Sequence, residues 1–224
     1  GRRSYLYYNQ LGQKILSIDA AGYAIAWQYG SGGNVISQRI YAQRLPAGIP
    51  YTESSDATDL LRQWPNDNAR DRITQYEHDA LGRLRAEIRT GIISAVNDQG
   101  KLVDKTERIS TQISYNALGD IASKRDALGN VATWEYDLQG RKSGVLLPVA
   151  TDYAGKAVRQ TTRYQYNGLH QLVRETQEGS GTDAARTVTH QYDQAGRRLS
   201  QTLATGDVIR YGYDAQGNTT AEII

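Results

Sequence analysis

The sequence contains no cysteine, no methionine and no phenylalanine, and only 4 of its 224 residues are proline. Without cysteine there is no disulfide framework, no thiol nucleophile and no thiolate metal site. Without methionine even an initiator is missing, so the chain is expected to begin inside a longer protein, with Gly1-Arg2-Arg3-Ser4 a cut end and Gly1 a tag scar. No apolar run approaches the roughly 20 residues of a membrane span, which predicts no membrane insertion by this segment. No signal-peptide pattern is present either, and a fragment would lack one in any case. A charge of one sign is also lacking. The 26 basic and 24 acidic residues are mixed along the chain and leave a formal charge of +2, which gives no long-range field for nucleic acid or an anionic membrane.

What is present is tyrosine, 16 of them, with 3 tryptophans. Aromatic surface of this kind carries a hydroxyl or an indole N–H, which suits positions packed at one end and wet at the other. Many of the tyrosines precede a recurring turn. Trp134-Glu135-Tyr136-Asp137-Leu138-Gln139-Gly140-Arg141 reads as strand, tight turn, strand, with Trp134 and Tyr136 on one face. The pattern returns at Tyr192-Asp193-Gln194-Ala195-Gly196-Arg197 and Tyr213-Asp214-Ala215-Gln216-Gly217-Asn218. It returns with asparagine at Tyr8-Asn9-Gln10-Leu11-Gly12 and Tyr115-Asn116-Ala117-Leu118-Gly119. His78 fills the tyrosine slot before Asp79-Ala80-Leu81-Gly82, and His170 stands where glycine is expected after Tyr166-Asn167. Tyr8 to Tyr29, Tyr115 to Tyr136 and Tyr192 to Tyr213 are each 21 residues. Tyrosine-free turns lie midway, at Asp19-Ala20-Ala21-Gly22 and Asp126-Ala127-Leu128-Gly129, and Gly30-Ser31-Gly32-Gly33-Asn34 is a degenerate copy. A fixed period of this length is the signature of a repeat architecture.

One repeat can be built from elementary chemistry. Ile25, Trp27 and Tyr29 alternate, as do Leu84, Ala86 and Ile88 against Arg83, Arg85, Glu87 and Arg89, the pattern of half-buried strands. Asp or Asn opening the turn bonds its own backbone two residues on, and the closing glycine supplies the positive φ that a short hairpin loop with a bulge requires. A lone hairpin is marginal in water, so neighbouring units must stack, with tyrosine and tryptophan laddered on one face. Three insertions interrupt the period, at about 41–72, 91–108 and 178–186. The first holds a helix candidate within 53–64, with Ser55 or Asp56 capping Ala57 to Trp64 and Pro65 ending it. The second reads as a lengthened hairpin with Asn97-Asp98-Gln99-Gly100 at its tip, and the third has Gly179-Ser180-Gly181-Thr182-Asp183 at its tip. No linker divides residues 1–224, which are expected to form a single array. The fold class is therefore all-β, tandem hairpins in a curved, spiralling antiparallel sheet.

The Tyr-Asp-x-x-Gly-Arg pattern, matched outright by Tyr136 to Arg141 and Tyr192 to Arg197, resembles the YD-repeat or Rhs-repeat family. That resemblance implies a β-rich spiral of hairpins. In bacterial Rhs proteins and insecticidal toxin complexes it forms a hollow shell around a toxic C-terminal polypeptide, and in animal teneurins a barrel in an adhesion ectodomain. The chain departs from the full-length pattern in having no Asp-Pro dipeptide, since its prolines follow Leu45, Ile49, Trp64 and Leu147. The core-closing motif that precedes a released toxin is thus absent. The periods are also too few to close a shell, which implies a segment of shell wall or an open curved strip.

No catalytic, cofactor-binding or metal constellation stands out, and neither an enzymatic role nor a cofactor is expected. Asn9, Asp79, Asn116, Asp126, Asp137, Asn167, Asp193 and Asp214 are each expected to cap their own turn, with Gly12, Gly82, Gly119, Gly129, Gly140, Gly196 and Gly217 closing seven of them. Calcium-binding β-rolls need a roughly nine-residue Gly/Asp period that this chain lacks. Gly30-Ser31-Gly32-Gly33 lacks the lysine and the strand-to-helix setting of a phosphate loop. His78, His170 and His190 are all explained by their repeat positions. The expected function is architectural: a wall segment that encloses or presents another polypeptide, such as a C-terminal toxin, in an exported or surface protein of a bacterium. Its partners are then the rest of its own parent chain and the enclosed polypeptide. The competing expectation is an adhesion or carbohydrate-binding module, in which the insertions and the aromatic face meet a surface glycan or protein.

Overall fold

The computed structural model describes residues 3–46, 48–67, 70–96, 99–179 and 184–224. The chain divides into two units, Gly1–Ile113 and Ser114–Ile224. The first holds β1 (Tyr5–Tyr8), β2 (Lys14–Ile18), β3 (Ala24–Tyr29), β4 (Val35–Ile40), α1 (Ala57–Gln63), β5 (Arg72–His78), β6 (Leu84–Val96) and most of β7 (Leu102–Tyr115). The second holds β8 (Ile121–Arg125), β9 (Val131–Tyr136), β10 (Lys142–Leu146), β11 (Ala150–Thr151), β12 (Ala157–Val158) and β13 (Thr161–Tyr166). It continues with β14 (Leu172–Glu178), β15 (Arg186–Tyr192), β16 (Arg198–Thr202), β17 (Val208–Tyr213) and β18 (Thr219–Ile223). Within each unit strand follows strand in hydrogen-bonded order as in the chain, except that β11 and β12 form a small hairpin of their own between β10 and β13. Every pairing recorded is antiparallel. The all-β class of tandem hairpins expected from the period is the one the chain adopts.

The hairpins keep their register by the same device each time. Where the tyrosine slot meets the turn the pairing slips by one residue, at Tyr7/Tyr8, Gln28/Tyr29, Glu77/His78, Gln165/Tyr166, Gln191/Tyr192 and Gly212/Tyr213. Such a bulge lets a three-to-five-residue loop follow the twist of the strands, provided one residue takes positive φ. Gly140 does so at 76°. In the repeat where glycine is replaced, His170 is forced to 62°, a region costly for most side chains.

In the first unit the sheet is covered on one face. Tyr7, Leu16, Ile18, Ala24 and Ala26 are buried there against Tyr41, Leu45, Ala57, Leu60 and Trp64 of the 41–72 insertion. Asp56 caps α1, accepting from the backbone N–H of Thr58 at 2.7 Å and of Asp59 at 3.1 Å. Of the two capping candidates, Ser55 is used elsewhere, its hydroxyl accepting from Thr52 N at 2.8 Å. The helix stops at Trp64, whose extended ψ of 130° suits the residue before a proline. Trp64 Nε1 donates to the Gln43 carbonyl at 2.9 Å. The insertion's two ends meet at Asp71, a buried carboxylate that accepts from Arg39 Nε and from Ala42 N, both at 2.8 Å.

The second unit has no such cover. Among its described residues only Gly144 and Thr161 are buried, so it is one layer with both faces partly wet. Two further turns, over 152–156 and 203–207, belong to this unit and follow no tyrosine. The lengthened hairpin over 91–108 is present, with Val96 paired to Leu102. Asn97 and Asp98 of its expected tip, Ser180 to Asp183 of the third insertion, and Gly1 and Arg2 lie outside the described residues.

Candidate functional site: the turn motif and the tyrosine ladder

Each turn is closed in the same way. The Asp137 backbone N–H donates to the Arg141 carbonyl at 2.9 Å, and Gly140 N donates to the Asp137 carbonyl at 3.0 Å. The Asp137 Oδ1 then accepts from Gln139 N and Arg141 N, both at 2.9 Å. The same pair of side-chain bonds, to the second and fourth residues on, occurs at Asn9, Asp19, Asp79, Asn116, Asp126, Asp152, Asn167 and Asp214. At Asp193 the bond to Arg197 N, at 2.8 Å, is of the same kind. The acidic or amide group that looks available for chemistry is thus already turned inward on its own backbone. No cluster able to hold a metal ion is found among the described residues.

The second oxygen or nitrogen of the turn residue decides what stands four positions on. In five of the turns that open with Asp a donor follows and bonds it: Arg83, Arg141 and Arg197 each place Nε 2.7 Å from the carboxylate, and Asn130 and Asn218 donate at 2.9 and 2.8 Å. Where it opens with Asn, an acceptor follows. Gln13 and Gln171 accept from the amide of Asn9 and Asn167 at 2.7 Å, and Asp120 accepts from Asn116 at 3.1 Å. The alternation is a matter of donor and acceptor inventory and was readable in the sequence from the identity of each pair.

These contacts lower the pKa of five turn carboxylates, Asp79, Asp126, Asp137, Asp193 and Asp214. In Asp79 and Asp193 the backbone N–H of Arg83 or Arg197 lowers the pKa most, and in Asp126 and Asp214 the side-chain amide of Asn130 or Asn218 does. In Asp137 desolvation pushes upward but is outweighed by the Arg141 backbone and guanidinium, so this carboxyl also titrates below the ordinary range.

The motif tyrosines tie each hairpin to the one before it. Tyr29, Tyr136, Tyr166, Tyr192 and Tyr213 donate their hydroxyls to the carbonyls of Lys14, Ile121, Lys142, Leu172 and Arg198, at 2.8 to 3.0 Å. Each acceptor is the first residue of the neighbouring strand, just after that strand's own turn. The motif arginines reach the other way. Arg141 Nη1 donates to the Asn167 carbonyl at 3.1 Å with its guanidinium 4.7 Å from the Tyr166 ring, and Arg197 stands in the same relation to Asp214 and Tyr213. Arg141 and Arg197 are therefore structural partners of the repeat that a search for chemistry passes over.

The rings make the ladder. In the second unit, register places Trp134, Val145, Tyr164, Val188, Ile209 and Tyr211 on one face, with Glu175, Gln177, Arg186 and Gln201 among them, and Glu135, Arg163, Thr176, Glu178, Thr187, Val208 and Arg210 on the other. The ladder tyrosines and Trp134 are half-buried. In the first unit Trp27, Tyr29 and Tyr76 hold the matching face, and Lys14 Nζ sits 4.3 Å over the Trp27 ring. Tyr8, on the outermost strand of that unit, is 55% exposed. His78 and His190 line up with the ladder, and His170 lies in its turn; nothing brings the three together.

A hairpin ladder closed by uniform Asx turns and bound strand to strand by tyrosine hydroxyls is a repeat-built structural sheet. The repeat is the RHS repeat: the family model of that description matches residues 115–151 and 192–223, both within the second unit. Residues 115–151 and 192–223 thus carry RHS repeats, and the chain is a repeat-built structural scaffold. No curated protein matches it. Among solved structures it is similar to TcdB2-TccC3-Cdc42 (16% identity, TM-score 0.36) and to TcdB2-TccC3 (16%, 0.37), covering 98% of this chain and 13% of each of those. It is similar as well to the Photorhabdus luminescens Tc holotoxin pore carrying the TccC3-D651A mutation, at 17% identity and a TM-score of 0.35, covering 98% of this chain and 12% of that one. The chain therefore spans about an eighth of the length of these relatives.

Proposed function

We propose that this chain is a stretch of wall in an exported or cell-surface bacterial protein, and that its ladder face meets a polypeptide which the wall encloses or presents. The observation that carries the proposal is the division of labour between the two faces. The hydroxyls of Tyr29, Tyr136, Tyr166, Tyr192 and Tyr213 are engaged within the wall, so these residues offer ring surface outward, half-buried and interleaved with polar side chains such as Glu175 and Gln201. Such a surface contacts an unfolded chain by area and stacking without demanding a sequence. The opposite face is either covered by the wall's own insertion, as in the first unit, or lined with arginine, glutamate and threonine, as in the second. The partner is a segment of the parent chain or a toxin polypeptide held by it.

The test is site-specific photo-crosslinking in the parent protein. A benzophenone amino acid at Tyr164 or Tyr211 is expected to capture another segment of the parent chain or its enclosed polypeptide. The same probe at Thr187 or Ser200, on the opposite face, is expected to capture none of it. Capture from both faces alike would overturn the proposal. The adhesion reading is less well supported, because of the large aromatics in the 41–72 insertion Tyr41 and Trp64 are buried in the core and Tyr51 packs against it. Glycan binding by the described chain that is lost on Tyr164→Ala would restore it.

A further inference from the structure

His190 is the one ladder residue whose polar atom is left without a partner. Its Nδ1 is buried with no hydrogen bond, alone in this respect among the described side chains. On β15 it stands directly across from Gln201 of β16. Gln201 Oε1 receives Arg198 Nη1 at 3.2 Å and makes no hydrogen bond with His190 Nδ1. A neutral imidazole tolerates this by presenting Nδ1 as a bare acceptor. An imidazolium would add a second, buried N–H that has no partner in this arrangement and a positive charge close to Arg198.

We infer that His190 is an acid-sensitive joint in the second unit, neutral when the β14–β15–β16 ladder is closed and destabilising that ladder when it becomes charged. The charged and titratable groups facing it are Arg198 on β16, Glu175 on β14 and Tyr192 on its own strand, whose ring centroid is 6.5 Å away. Arg198 opposes the imidazolium and Glu175 supports it. Burial first, and Arg198 second, push the His190 pKa below its ordinary value, with Glu175 pulling weakly the other way. A histidine whose folded pKa is depressed leaves stability intact above the unfolded value, near 6.5, and stability is lost as pH falls below it toward the folded one. The chain holds two further histidines, His78 and His170, so the comparison must be made between variants rather than between conditions alone. The inference concerns the second unit by itself and holds whatever the ladder face touches.

The experiment is urea unfolding of the chain at pH 7.5 and pH 5.0, for the parent sequence, His190→Phe and Glu175→Gln. The parent midpoint is expected to fall between the two pH values, that of His190→Phe to fall distinctly less, and that of Glu175→Gln to fall more. Equal pH dependence in the parent sequence and His190→Phe would overturn the inference. Should His190→Phe not fold, the His190 imidazole resonances of the parent chain decide the matter. A titration midpoint below about 6.5 supports the joint, and one at or above it refutes it.

Discussion

Behind the tyrosines, β2 and β3 carry Leu16, Ile18, Ala24 and Ala26, whereas β13, β14 and β15 carry Arg163, Thr176 and Thr187 at the matching register. The turns are the same and the bulges are the same, yet one unit has a buried core and the other has almost none. The repeat motif fixes hairpin geometry and inter-strand staples, and leaves the far face free to vary. In the first unit that freedom is used to dock a 41–72 insertion through Trp64, Leu60 and Tyr41. In the second it is used for cross-strand polar contacts, such as the Thr176–Thr187 hydroxyl pair at 3.2 Å. The first unit is therefore stabilised mainly by burial and the second by staples, and the two should fail in different ways.

Trp64→Ala should separate them most sharply. The side chain is 2% exposed, and its removal leaves a cavity between α1 and the sheet, costing about 3–5 kcal/mol. Hydrogen exchange read peptide by peptide should show β1 to β3 losing protection while β13 to β17 keep theirs. Uniform loss across both units would mean that the two unfold as one, and that the contrast between them has no energetic content.

Acid should act in the opposite direction. Turn carboxylates with lowered pKa values number one in the first unit, Asp79, and four in the second, Asp126, Asp137, Asp193 and Asp214; the first unit adds the helix cap Asp56. A carboxylate with a depressed folded pKa stabilises fully above its unfolded value, near 3.8, and that contribution disappears as pH falls through the folded value. Below about pH 4 the second unit should lose hydrogen-exchange protection first. Protection lost first from β1 to β3 would contradict the account of the staples.

The turns were legible because their requirements are local. Asp or Asn opening, and glycine three residues on, follow from a backbone that needs an acceptor and a positive φ, so Asp137 and Gly140 could be assigned by inspection. His170 shows how strong the register is, since the histidine accepts the glycine's conformation. Turn 203–207 was missed because Leu203, not Asp or Asn, opens it, and turn 152–156 because Asp152 falls outside the midway register, although Gly155 and Gly206 carry the same positive φ of 77° and 96°. The tyrosine hydroxyl staples were not legible, because their acceptors are backbone carbonyls whose identity is silent in the sequence. Nor was the docking of α1. The run Leu16, Ile18, Ala24, Ala26 is visibly apolar, but only the cross-strand register places these four on one face, opposite Trp27.

Tyr166→Phe asks how much a single staple carries. The change deletes the hydroxyl that reaches the Lys142 carbonyl at 2.9 Å and keeps the ring under Arg141. The contact is partly exposed, so water replaces the lost donor and the cost is about 0.5–1 kcal/mol. Thermal unfolding should record it, and Tyr192→Phe on the next hairpin should add to it without coupling if staples act singly. A cost well above that for either variant would mean that the staples are cooperative and that the second unit is held by their network.

Gly144→Ala should have the smallest effect, and its smallness is informative. Gly144 lies between Glu135 and Arg163 on adjacent strands, and the ion pair of those two side chains passes over it. A Cβ there would meet Glu135 Oε2 at 2.8 Å and Arg163 Nη1 at 3.0 Å, both of them movable ends of long side chains. The pair would open, but its members are 45% and 41% exposed, and exposed pairs are worth at most about 1 kcal/mol. Alanine also loses less chain entropy than glycine on entering a strand, which offsets part of the loss. The net change in stability should lie within about 0.5 kcal/mol of zero, while the sensitivity of unfolding to added salt declines because one partly screened pair is gone. Unchanged salt dependence would mean that the ion pair contributes nothing and that Gly144 answers to some other demand. A loss as large as that of a core residue would mean that the polar face is packed as tightly as the covered one, and the contrast between the two units would collapse.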